Sequence, residues 1–414
     1  MEINTVGVIG LGYIGLPTAA ILASKDVKVT GVDVRPSTVE AVNRGDVPFV
    51  EPDLATYVSG AVQQGTLRAT TTPEPADAFI LAVPTPFADD HEPDLSYIEA
   101  AMRAVAPVLR GGELVILEST SPPEATRKMA QWLLDERPDL SLDGADGRPV
   151  VHVAHCPERV LPGRVMIELV TNDRVVGGLT PEAAEHAKAL YEVFCQGEIL
   201  TTDATTAEMV KLAENSFRDV NIAFANELSL IADKVGVDVW ELIQLANRHP
   251  RVNILQPGPG VGGHCIAVDP WFLVDAAPDQ ARLIRSAREV NDSKPEWVVQ
   301  KVLDAVEGIE NPTIAALGLS FKKDIDDLRE SPAVEIVAKI ADHCPSGAVL
   351  AVEPHIDALP PVLANRRNVT LRTIDAALGE ADVTVALVDH SSFRSGLANV
   401  AVGHSVIDTR GILG

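Results

Sequence analysis

The feature that most constrains the fold is a regular alternation of short apolar runs with amphipathic segments through the first half of the chain. The runs are rich in Val, Ile and Leu, which is typical of strands buried on both faces of a parallel sheet. They cover residues 5–10, 27–33, 78–83, 114–118 and 150–154. Helix-start signals follow several of them, at Pro36, Ser96 and Pro123. This βα order predicts a doubly wound sheet, extended by further strands at 174–178 and 198–201.

The middle of the chain has a different character. Residues 203–235 contain no proline or glycine and repeat Ala, Leu, Glu and Asn at helical spacing, which predicts one long helix ending at Gly236. Beyond it the sequence predicts a helix near 239–246, an irregular loop over 247–270 and a helical stretch over 279–306. Pro295 should kink or break that last stretch.

After Asn311-Pro312 the alternation of strands and helices resumes, which predicts a second, smaller sheet. Its strands are expected at residues 313–319, 348–353, 369–371, 383–388 and 405–408. The whole pattern predicts an α/β protein with two Rossmann-like doubly wound parallel sheets joined by a long central helical region. The expected domains are residues 1–202, 203–306 and 307–414.

The charge balance and the cysteines limit the partners and the compartment. The 414 residues include 59 acidic and 34 basic side chains, a formal net charge of −25, so nucleic acid and anionic membranes would be repelled. Four widely spaced cysteines without a C-x-x-C pair, and no signal-peptide pattern, favour a cytoplasmic chain with reduced thiols. The uncharged residues 6–24 are interrupted by glycines, which favours a strand, a turn and a helix over a membrane span.

A glycine-rich turn follows the first predicted strand. It reads Gly10-Leu11-Gly12-Tyr13-Ile14-Gly15, in which the glycines permit a tight turn, the approach of a pyrophosphate, and the packing of helix on strand. Asp33 ends the second predicted strand, where a carboxylate would bind the adenosine ribose hydroxyls. This acid predicts NAD rather than NADP, although Arg35 is close by. Thr85 and Thr120 follow strands at the same carboxyl edge, where ligands of open sheets bind.

A second glycine-rich segment, Gly258-Pro259-Gly260-Val261-Gly262-Gly263-His264-Cys265, ends in a cysteine. The loop offers few packing neighbours for a buried thiol, but it would leave an exposed thiolate beside backbone amides. We therefore interpret Cys265 as a nucleophile, and the cysteines at 156, 195 and 344, which lie in or beside apolar runs, as core residues. Neither His-Cys pair has zinc-ligand spacing, so no metal is expected.

Polar residues around this loop are further candidates. Asp269, four residues after Cys265, could orient a water or a base, or could cap a helix before Pro270. On the long predicted helix, the spacing of Lys211, Asn215 and Arg218 puts them on one face. That face is either a solvated charged surface or a polar stripe in a cleft. In a cleft, a desolvated lysine would have a lowered pKa and could move protons.

Over essentially its whole length the chain resembles the nucleotide-sugar 6-dehydrogenases, the UDP-glucose and GDP-mannose dehydrogenase family. The resemblance is carried by the glycine turn with Asp33, Glu118-Ser119-Thr120, Cys156-Pro157-Glu158-Arg159, Lys211 with Asn215, the loop to Cys265 with Asp269, and Gly318-Leu319-Ser320-Phe321-Lys322-Lys323-Asp324.

Within this family, residues 157–164, 218–227 and 249–253 resemble the branch that acts on UDP-N-acetyl-D-mannosamine. The UDP-glucose branch usually has an aromatic residue after Pro-Glu and a lysine before the aspartate. These two positions hold Arg159 and Val268 here, which disfavours UDP-glucose.

The resemblance implies a four-electron oxidation of the sugar C6 alcohol to an acid, with NAD as the cofactor. Lys211, assisted by Asn215, would transfer the proton and stabilise the oxyanion. Cys265 would bind the aldehyde as a thiohemiacetal and then carry a thioester. Thr120 and Asp269 would position the hydrolytic water, with Glu158 as its base.

The resemblance also implies the binding residues and the assembly. The UDP-sugar would be bound by Arg159, Val160, Lys211, Asn215, Arg218, His249, Arg251, Gly262, Phe321, Lys322 and Arg410. The first domain would bind NAD, with Arg329 also reaching the cofactor, and the third would bind the UDP-sugar. The central helices would form a homodimer in which Arg251 enters the partner's site.

Other readings remain open from the sequence. The same chemistry could act on UDP-GlcNAc, UDP-glucose or GDP-mannose. A two-electron hydroxy-acid dehydrogenase or an NAD-dependent epimerase could use the same fold, although no Y-x-x-x-K motif is present for an epimerase. A non-catalytic NAD-sensing protein is disfavoured by the full set of reactive residues.

Overall fold

The computed structural model describes residues 3–49, 51–87, 91–161, 163–263, 265–394 and 405–413. Pro162 and His264, which belong to motifs quoted above, lie outside these residues. The chain divides into two compact units, Met1–Glu214 and Asn215–Gly414. The expected three-domain division stays a prediction.

In the described part of the first unit, the strands form one eight-stranded sheet. They are β1 (Thr5–Ile9), β2 (Lys28–Val32), β3 (Leu67–Thr70), β4 (Ala78–Leu81), β5 (Leu114–Leu117), β6 (His152–His155), β7 (Arg174–Gly178) and β8 (Ile199–Asp203). Their spatial order is β3-β2-β1-β4-β5-β6-β7-β8, and only β6 and β7 pair antiparallel. Because of that reversal, β7 enters the sheet at the edge where β6 ends.

Helices cover both faces of this sheet, and each face has its own buried apolar core. The helices are α1 (Gly15–Ala23), α2 (Pro36–Asn43), α3 (Leu54–Gln64), α4 (Ser96–Val105), α5 (Ala125–Glu136), α6 (Val165–Thr171), α7 (Pro181–Tyr191) and the start of α8 (Ala204–Val235). The long uninterrupted helix is therefore confirmed, and it ends before Gly236, whose positive φ of 75° favours glycine.

The second unit contains the rest of α8, a helical segment and a smaller sheet. Its further helices are α9 (Val239–Ala246), α10 (Asp269–Ala276), α11 (Arg282–Ala305), α12 (Pro332–His343), α13 (Pro361–Ala364) and α14 (Ile374–Glu380). Its strands are β9 (Thr313–Leu317), β10 (Ala348–Val352), β11 (Val369–Leu371), β12 (Val383–Ala386) and β13 (Ser405–Asp408). They are all parallel, in the order β11-β10-β9-β12-β13, again with cores on both faces. The predicted two-sheet α/β fold is confirmed.

One detail of the predicted helical middle is wrong, and a second is wrong in part. The loop ends before Asp269, because α10 begins there and Pro270 occupies an early helical position where a missing N–H costs nothing. Helix α11 is not broken at Pro295, while the other expected outcome, a kink at that residue, stays a prediction. Its second half is held in place by Val298, Val299 and Val302, which are buried in the core of the second sheet.

Among the described residues, no helix is both long enough and apolar enough to cross a bilayer.

Candidate active site

The glycine turn after β1 has the geometry that a pyrophosphate requires. Gly10 has φ of +94°, and a Cβ on it would lie 2.4 Å from the Ala82 carbonyl oxygen. A Cβ on Gly15 would lie 1.9 Å from the Gly10 oxygen, so neither position tolerates a side chain. A Cβ on Gly12 would meet nothing within 4 Å, which leaves open space beside the backbone at the start of α1. The turn therefore fits a dinucleotide phosphate.

Asp33 lies next to this turn with its carboxylate oriented by the backbone. Its Oδ2 accepts the Leu11 amide at 3.1 Å, and its Oδ1 accepts the Arg35 amide at 2.9 Å. Burial opposes ionisation, but hydrogen bonds from Arg35 and Leu11 outweigh it and lower the pKa of Asp33. The exposed Arg35 side chain also pairs with this carboxylate at 3.2 Å. An ionised acid at this place fits the ribose hydroxyls of NAD.

The remaining cofactor candidates of the first unit lie at the same sheet edge. The Thr85 hydroxyl donates to the Thr120 carbonyl at 2.6 Å, so the structure brings these two residues together. The Tyr13 ring stacks on Phe49 with centroids 4.2 Å apart, and Ile14 is half-buried.

Glu158 is positioned by the antiparallel pairing of β6 and β7. The observed register, His155 opposite Gly177, places Glu158 opposite Arg174 when it is continued beyond the strand. Arg174 Nη2 donates to Glu158 Oε2 at 3.0 Å, and the Arg159 amide donates to Oε1 at 2.6 Å. The side chains of Arg174 and Glu158 are almost fully buried. A sequence prediction of parallel strands could not have found this pair.

Arg174 and two of the groups around it, Tyr191 and Thr18, were not singled out from the sequence, whereas Glu118 belongs to a motif quoted above. The guanidinium carbon of Arg174 is 4.7 Å from the ring centroid of Tyr191, whose hydroxyl donates to Glu118 Oε1 at 3.0 Å. Thr18, on α1, donates to Glu118 Oε2 at 3.1 Å. Burial, reinforced by the charge of Glu158, raises the pKa of Glu118 to about 7. Hydrogen bonds and ring contacts thus connect the cofactor helix to Glu158.

Arg159 and Val160 follow Glu158 and have different surroundings. Arg159 makes a two-point ion pair with Glu214, with Nη2–Oε1 at 2.6 Å and Nε–Oε2 at 3.2 Å. Val160 is half-buried and packs against the core of the first sheet. A ligand phosphate would have to share Arg159 with Glu214.

In the second unit the structure brings Cys265, Asp269 and Asn215 together. Cys265 is exposed, and its carbonyl accepts the amides of Val268 at 3.1 Å and Asp269 at 2.8 Å at the start of α10. Asp269 is buried, and its Oδ2 accepts a hydrogen bond from Asn215 Nδ2. The backbone of the exposed cysteine is therefore bonded to the backbone of a residue whose carboxylate is oriented by Asn215. By contrast, burial raises the pKa of Cys156 to about 12.

The loop before Cys265 is more closely packed than its composition indicates. A Cβ on Gly262 would lie 2.6 Å from the Glu330 oxygen, 2.7 Å from Pro332 and 2.8 Å from Phe321. Gly263 has φ of +82°, and a Cβ on it would lie 3.2 Å from the Phe321 ring. The expectation that this loop has few neighbours is wrong, because the glycines let other segments of the second unit approach it.

The other predicted substrate residues, and Arg329, which is predicted to reach the cofactor, lie at half-buried or exposed positions. Arg410 pairs with Asp389 at 2.8 Å, and its Nη1 would lie 2.8 Å from a Cβ on Gly258. Lys211, Phe321 and Lys322 are half-buried, while Arg218, His249, Arg251 and Arg329 are exposed. Arg329 pairs with Asp327 at 2.6 Å. The roles of all these residues stay predictions, as does the convergence of the cofactor edge with the thiol.

One cluster with metal-ligand character, Asp324, His355 and His390, has its ligand atoms within 4.8 Å of one another. His390 Nδ1 accepts the Asp324 amide at 3.0 Å, and Nε2 is 3.0 Å from Glu353 Oε2. Asp324 in turn accepts the Ser391 amide at 2.8 Å. These contacts hold the loop that carries Phe321 and Lys322.

Comparisons with known proteins agree with this architecture. Three models of the UDP-glucose/GDP-mannose dehydrogenase family match: the NAD binding domain at residues 4–195, the central domain at 205–293 and the UDP binding domain at 315–414. A UDP-N-acetyl-D-mannosamine dehydrogenase of Escherichia coli is 57% identical over 421 residues, covering 100% of both chains. An NDP-N-acetyl-D-galactosaminuronic acid dehydrogenase of Ralstonia nicotianae is 60% identical over 413 residues, covering 100% of this chain and 97% of the relative.

Among solved structures, a UDP-D-ManNAc dehydrogenase from Pyrococcus horikoshii superposes with a TM-score of 0.87 at 39% identity, covering 99% of this chain and 96% of that one. The protein is an NAD-dependent nucleotide-sugar dehydrogenase. It belongs to the UDP-glucose/GDP-mannose dehydrogenase family.

Proposed function

We propose that the protein oxidises the C6 hydroxymethyl group of UDP-N-acetyl-D-mannosamine to the carboxylate, through a thiohemiacetal and a thioester on Cys265. The observation that carries the proposal is the exposed Cys265, whose carbonyl accepts the amide of buried Asp269, together with the bond from Asn215 to the Asp269 carboxylate. An accessible thiol can attack an aldehyde, and a carboxylate oriented four residues later can position the water that releases the acid.

The residues divide the work as follows. NAD, when bound, is the hydride acceptor for both oxidations. Lys211, one helical turn from Asn215, takes the proton of the C6 hydroxyl and stabilises the oxyanion. Cys265 keeps the aldehyde carbon covalently bound through the second oxidation. Thr120 and Asp269 then orient a water that attacks the thioester, Glu158 accepts its proton, and the thiol is regenerated.

The cofactor would be bound by a glycine turn and a carboxylate, and the UDP-sugar mainly by basic side chains. Gly12 leaves room for the NAD pyrophosphate, and Asp33 accepts hydrogen bonds from the ribose. The UDP-sugar would be bound by the remaining predicted residues, above all Lys322 and Arg410. Arg159, paired with Glu214, occupies the place of the aromatic residue typical of the UDP-glucose branch. This difference supports an N-acetylated sugar.

A second substrate candidate is the corresponding N-acetyl-D-galactosamine nucleotide. It is favoured by the 60% identity to the relative named for N-acetyl-D-galactosaminuronic acid. The two sugars differ in stereochemistry, and the distinction depends on the shape of the assembled pocket.

The test is to incubate purified protein with NAD and, separately, with the UDP forms of N-acetylmannosamine, N-acetylgalactosamine, N-acetylglucosamine and glucose. We expect the highest kcat/KM with UDP-N-acetylmannosamine and two NADH per sugar oxidised. A Cys265→Ala variant should form no uronate. Release of a single NADH per sugar, or full conversion to acid by Cys265→Ala, would refute the mechanism, and a preference for another sugar would refute only the substrate.

We also propose a cytoplasmic homodimer built on α8. Phe217, Phe224 and Ile231 recur every seven residues along this helix and are 73%, 55% and 49% exposed. Seven-residue spacing of large apolar side chains forms one stripe that a second helix can cover.

A further inference from the structure

A buried polar network connects α8 and α11 in the second unit. Arg288 Nη1 donates to Asp219 Oδ1 at 2.6 Å, and Asn291 Nδ2 donates to the same oxygen at 2.8 Å. Asn226 Nδ2 donates to Asn291 Oδ1 at 2.8 Å. All four side chains are buried to 99% or more. The network therefore lies between the two helices, away from solvent.

The two ends of this network reach the backbone on both sides of the glycine-rich loop. Asn226 Oδ1 accepts the amide of Gly258, the first glycine of the loop, at 2.8 Å. Arg288 Nη1 also donates to the carbonyl of Ile266, the residue after Cys265, at 3.4 Å. The loop is thus bonded at its entrance by Asn226 and just after its exit by Arg288, and these two side chains are connected through Asn291 and Asp219.

Stability alone is a poor explanation for such a network. Removing an arginine and a carboxylate from water costs several kcal/mol per ion, and well-packed apolar residues of similar volume often stabilise as well or better. Apolar residues could fill the space between α8 and α11, but they could not accept the Gly258 amide or donate to the Ile266 carbonyl. The feature that only the polar residues provide is a fixed loop backbone.

We propose that Asp219, Asn226, Arg288 and Asn291 act as one positioning unit for Cys265. Asp219 and Asn291 orient Arg288 and Asn226, and these two fix the backbone around the nucleophile. The fixed loop holds the thiol where it meets the aldehyde before the aldehyde dissociates. None of the four residues touches the reacting atoms in this scheme. The inference rests on the proposed function, because it takes Cys265 as the nucleophile.

The test uses two variants and one matched control. Arg288→Lys keeps the positive charge but cannot bond Asp219 and Ile266 with the planar geometry of a guanidinium. Asn226→Ala removes the acceptor for the Gly258 amide without touching Arg288. Asp292→Asn is the control. Asp292 also pairs with Arg288, but its side chain is 47% exposed, and this ion pair does not include the backbone of Gly258 or Ile266.

In full-length protein with NAD and UDP-N-acetylmannosamine, we expect both loop variants to keep the wild-type KM and to lose at least tenfold in kcat. The NADH released per sugar should fall from two towards one, with free aldehyde trapped by a hydrazine. The second-order rate of Cys265 alkylation by iodoacetamide, measured without substrates, should also change. Asp292→Asn should match the wild type in every measurement.

The proposal is overturned if both loop variants keep the wild-type stoichiometry and alkylation rate. It is also overturned if KM and kcat change together with a fall in melting temperature and the stoichiometry stays at two, since that describes general destabilisation. Failure of the proposed function has a different signature: wild-type enzyme would itself release one NADH per sugar, and Cys265→Ala would remain active.

Discussion

At the scale of single residues, ionisation state distinguishes groups of the same type. Glu118 and Glu158 are both buried, but Glu158 is paired with Arg174, whereas Glu118 has only the hydroxyls of Thr18 and Tyr191 as described side-chain hydrogen-bond partners. Glu118 therefore takes up a proton near neutrality, and Arg174 is left to balance Glu158. One buried cation can serve two carboxylates when one of them is neutral.

Glu118→Gln should change how stability depends on pH. The pKa of Glu118 is raised from 4.5 to about 7 in the folded chain, so the folded state retains a proton that the unfolded state loses between these values. The wild type therefore loses stability as the pH rises through this window, by up to about 3 kcal/mol. The neutral amide avoids this loss. In thermal melts from pH 4.5 to 8, the melting temperature of the variant should rise relative to that of the wild type as the pH increases. A difference in melting temperature that does not change with pH would contradict the raised pKa of Glu118.

The cysteines should separate clearly by reactivity. Cys265 is exposed, whereas Cys156 is fully buried and its pKa is raised to about 12 by that burial. Brief treatment of native protein with iodoacetamide at pH 7.5, followed by peptide mass mapping, should label Cys265 at least a hundredfold faster than Cys156. In denaturant all four cysteines should react alike, which serves as the control. Labelling of Cys156 at a rate comparable to Cys265 in native protein would contradict the structure.

At the scale of elements, the loop before Cys265 depends on close approach by its neighbours. Gly262→Ala would place a Cβ within 3 Å of the Glu330 backbone oxygen, Pro332 and Phe321. Backbone and proline atoms cannot move aside cheaply, so the loop must shift. We expect uronate formation to fall at least tenfold. Gly379→Ala, in α14 with nothing within 4 Å, is the control and should keep full activity. Equal activity of the two variants would show that the loop adapts.

The elements that could be predicted from the sequence are those whose signals are local. The turn from Gly10 to Gly15 and α8 follow from glycine placement and helical spacing, and the structure has both. Helix α3 and strand β3 were not predicted. Gly60 interrupts the helical pattern of α3, and the exposed Arg68 interrupts the apolar run of β3. The course of α11 through Pro295 depends on tertiary burial, which overrides a local helix breaker.

The candidate site likewise contains residues that local motifs predict and residues that only long-range contacts bring into place. Cys265, Asp269 and Asn215 could be proposed from motif and spacing, and the structure places them in one cluster. Arg174 could not, because its pairing with Glu158 requires β7 to run antiparallel to β6. Nor could the network of Asp219 and Arg288, since it depends on which faces of α8 and α11 meet. Long-range contacts between side chains leave no periodic trace in the sequence.

At the scale of the whole molecule, the net charge of −25 must be reconciled with anionic ligands. Several arginines expected near ligands are already paired with acids: Arg159 with Glu214, Arg329 with Asp327 and Arg410 with Asp389. Such pairs hold each guanidinium in place while the surrounding acidic surface favours solubility. We therefore expect recognition of a pyrophosphate to depend on a few oriented cations rather than on the field of the whole protein.

The proposed dimer gives the last prediction. In this dimer Phe224, the middle residue of the stripe formed by Phe217, Phe224 and Ile231, would face a partner helix. A carboxylate at this position should disrupt the dimer, because burying an unpaired charge is costly. Phe224→Glu should elute as a monomer in gel filtration with light scattering, whereas we expect the wild type to elute as a dimer. Its activity should fall as well, because Arg251 is expected to complete the partner's site.

Val362→Glu, at a similarly exposed apolar residue in α13, is the control and should remain dimeric and active. If Phe224→Glu keeps the wild-type mass, the stripe is not the dimer interface; if it becomes monomeric with full activity, Arg251 acts within its own subunit.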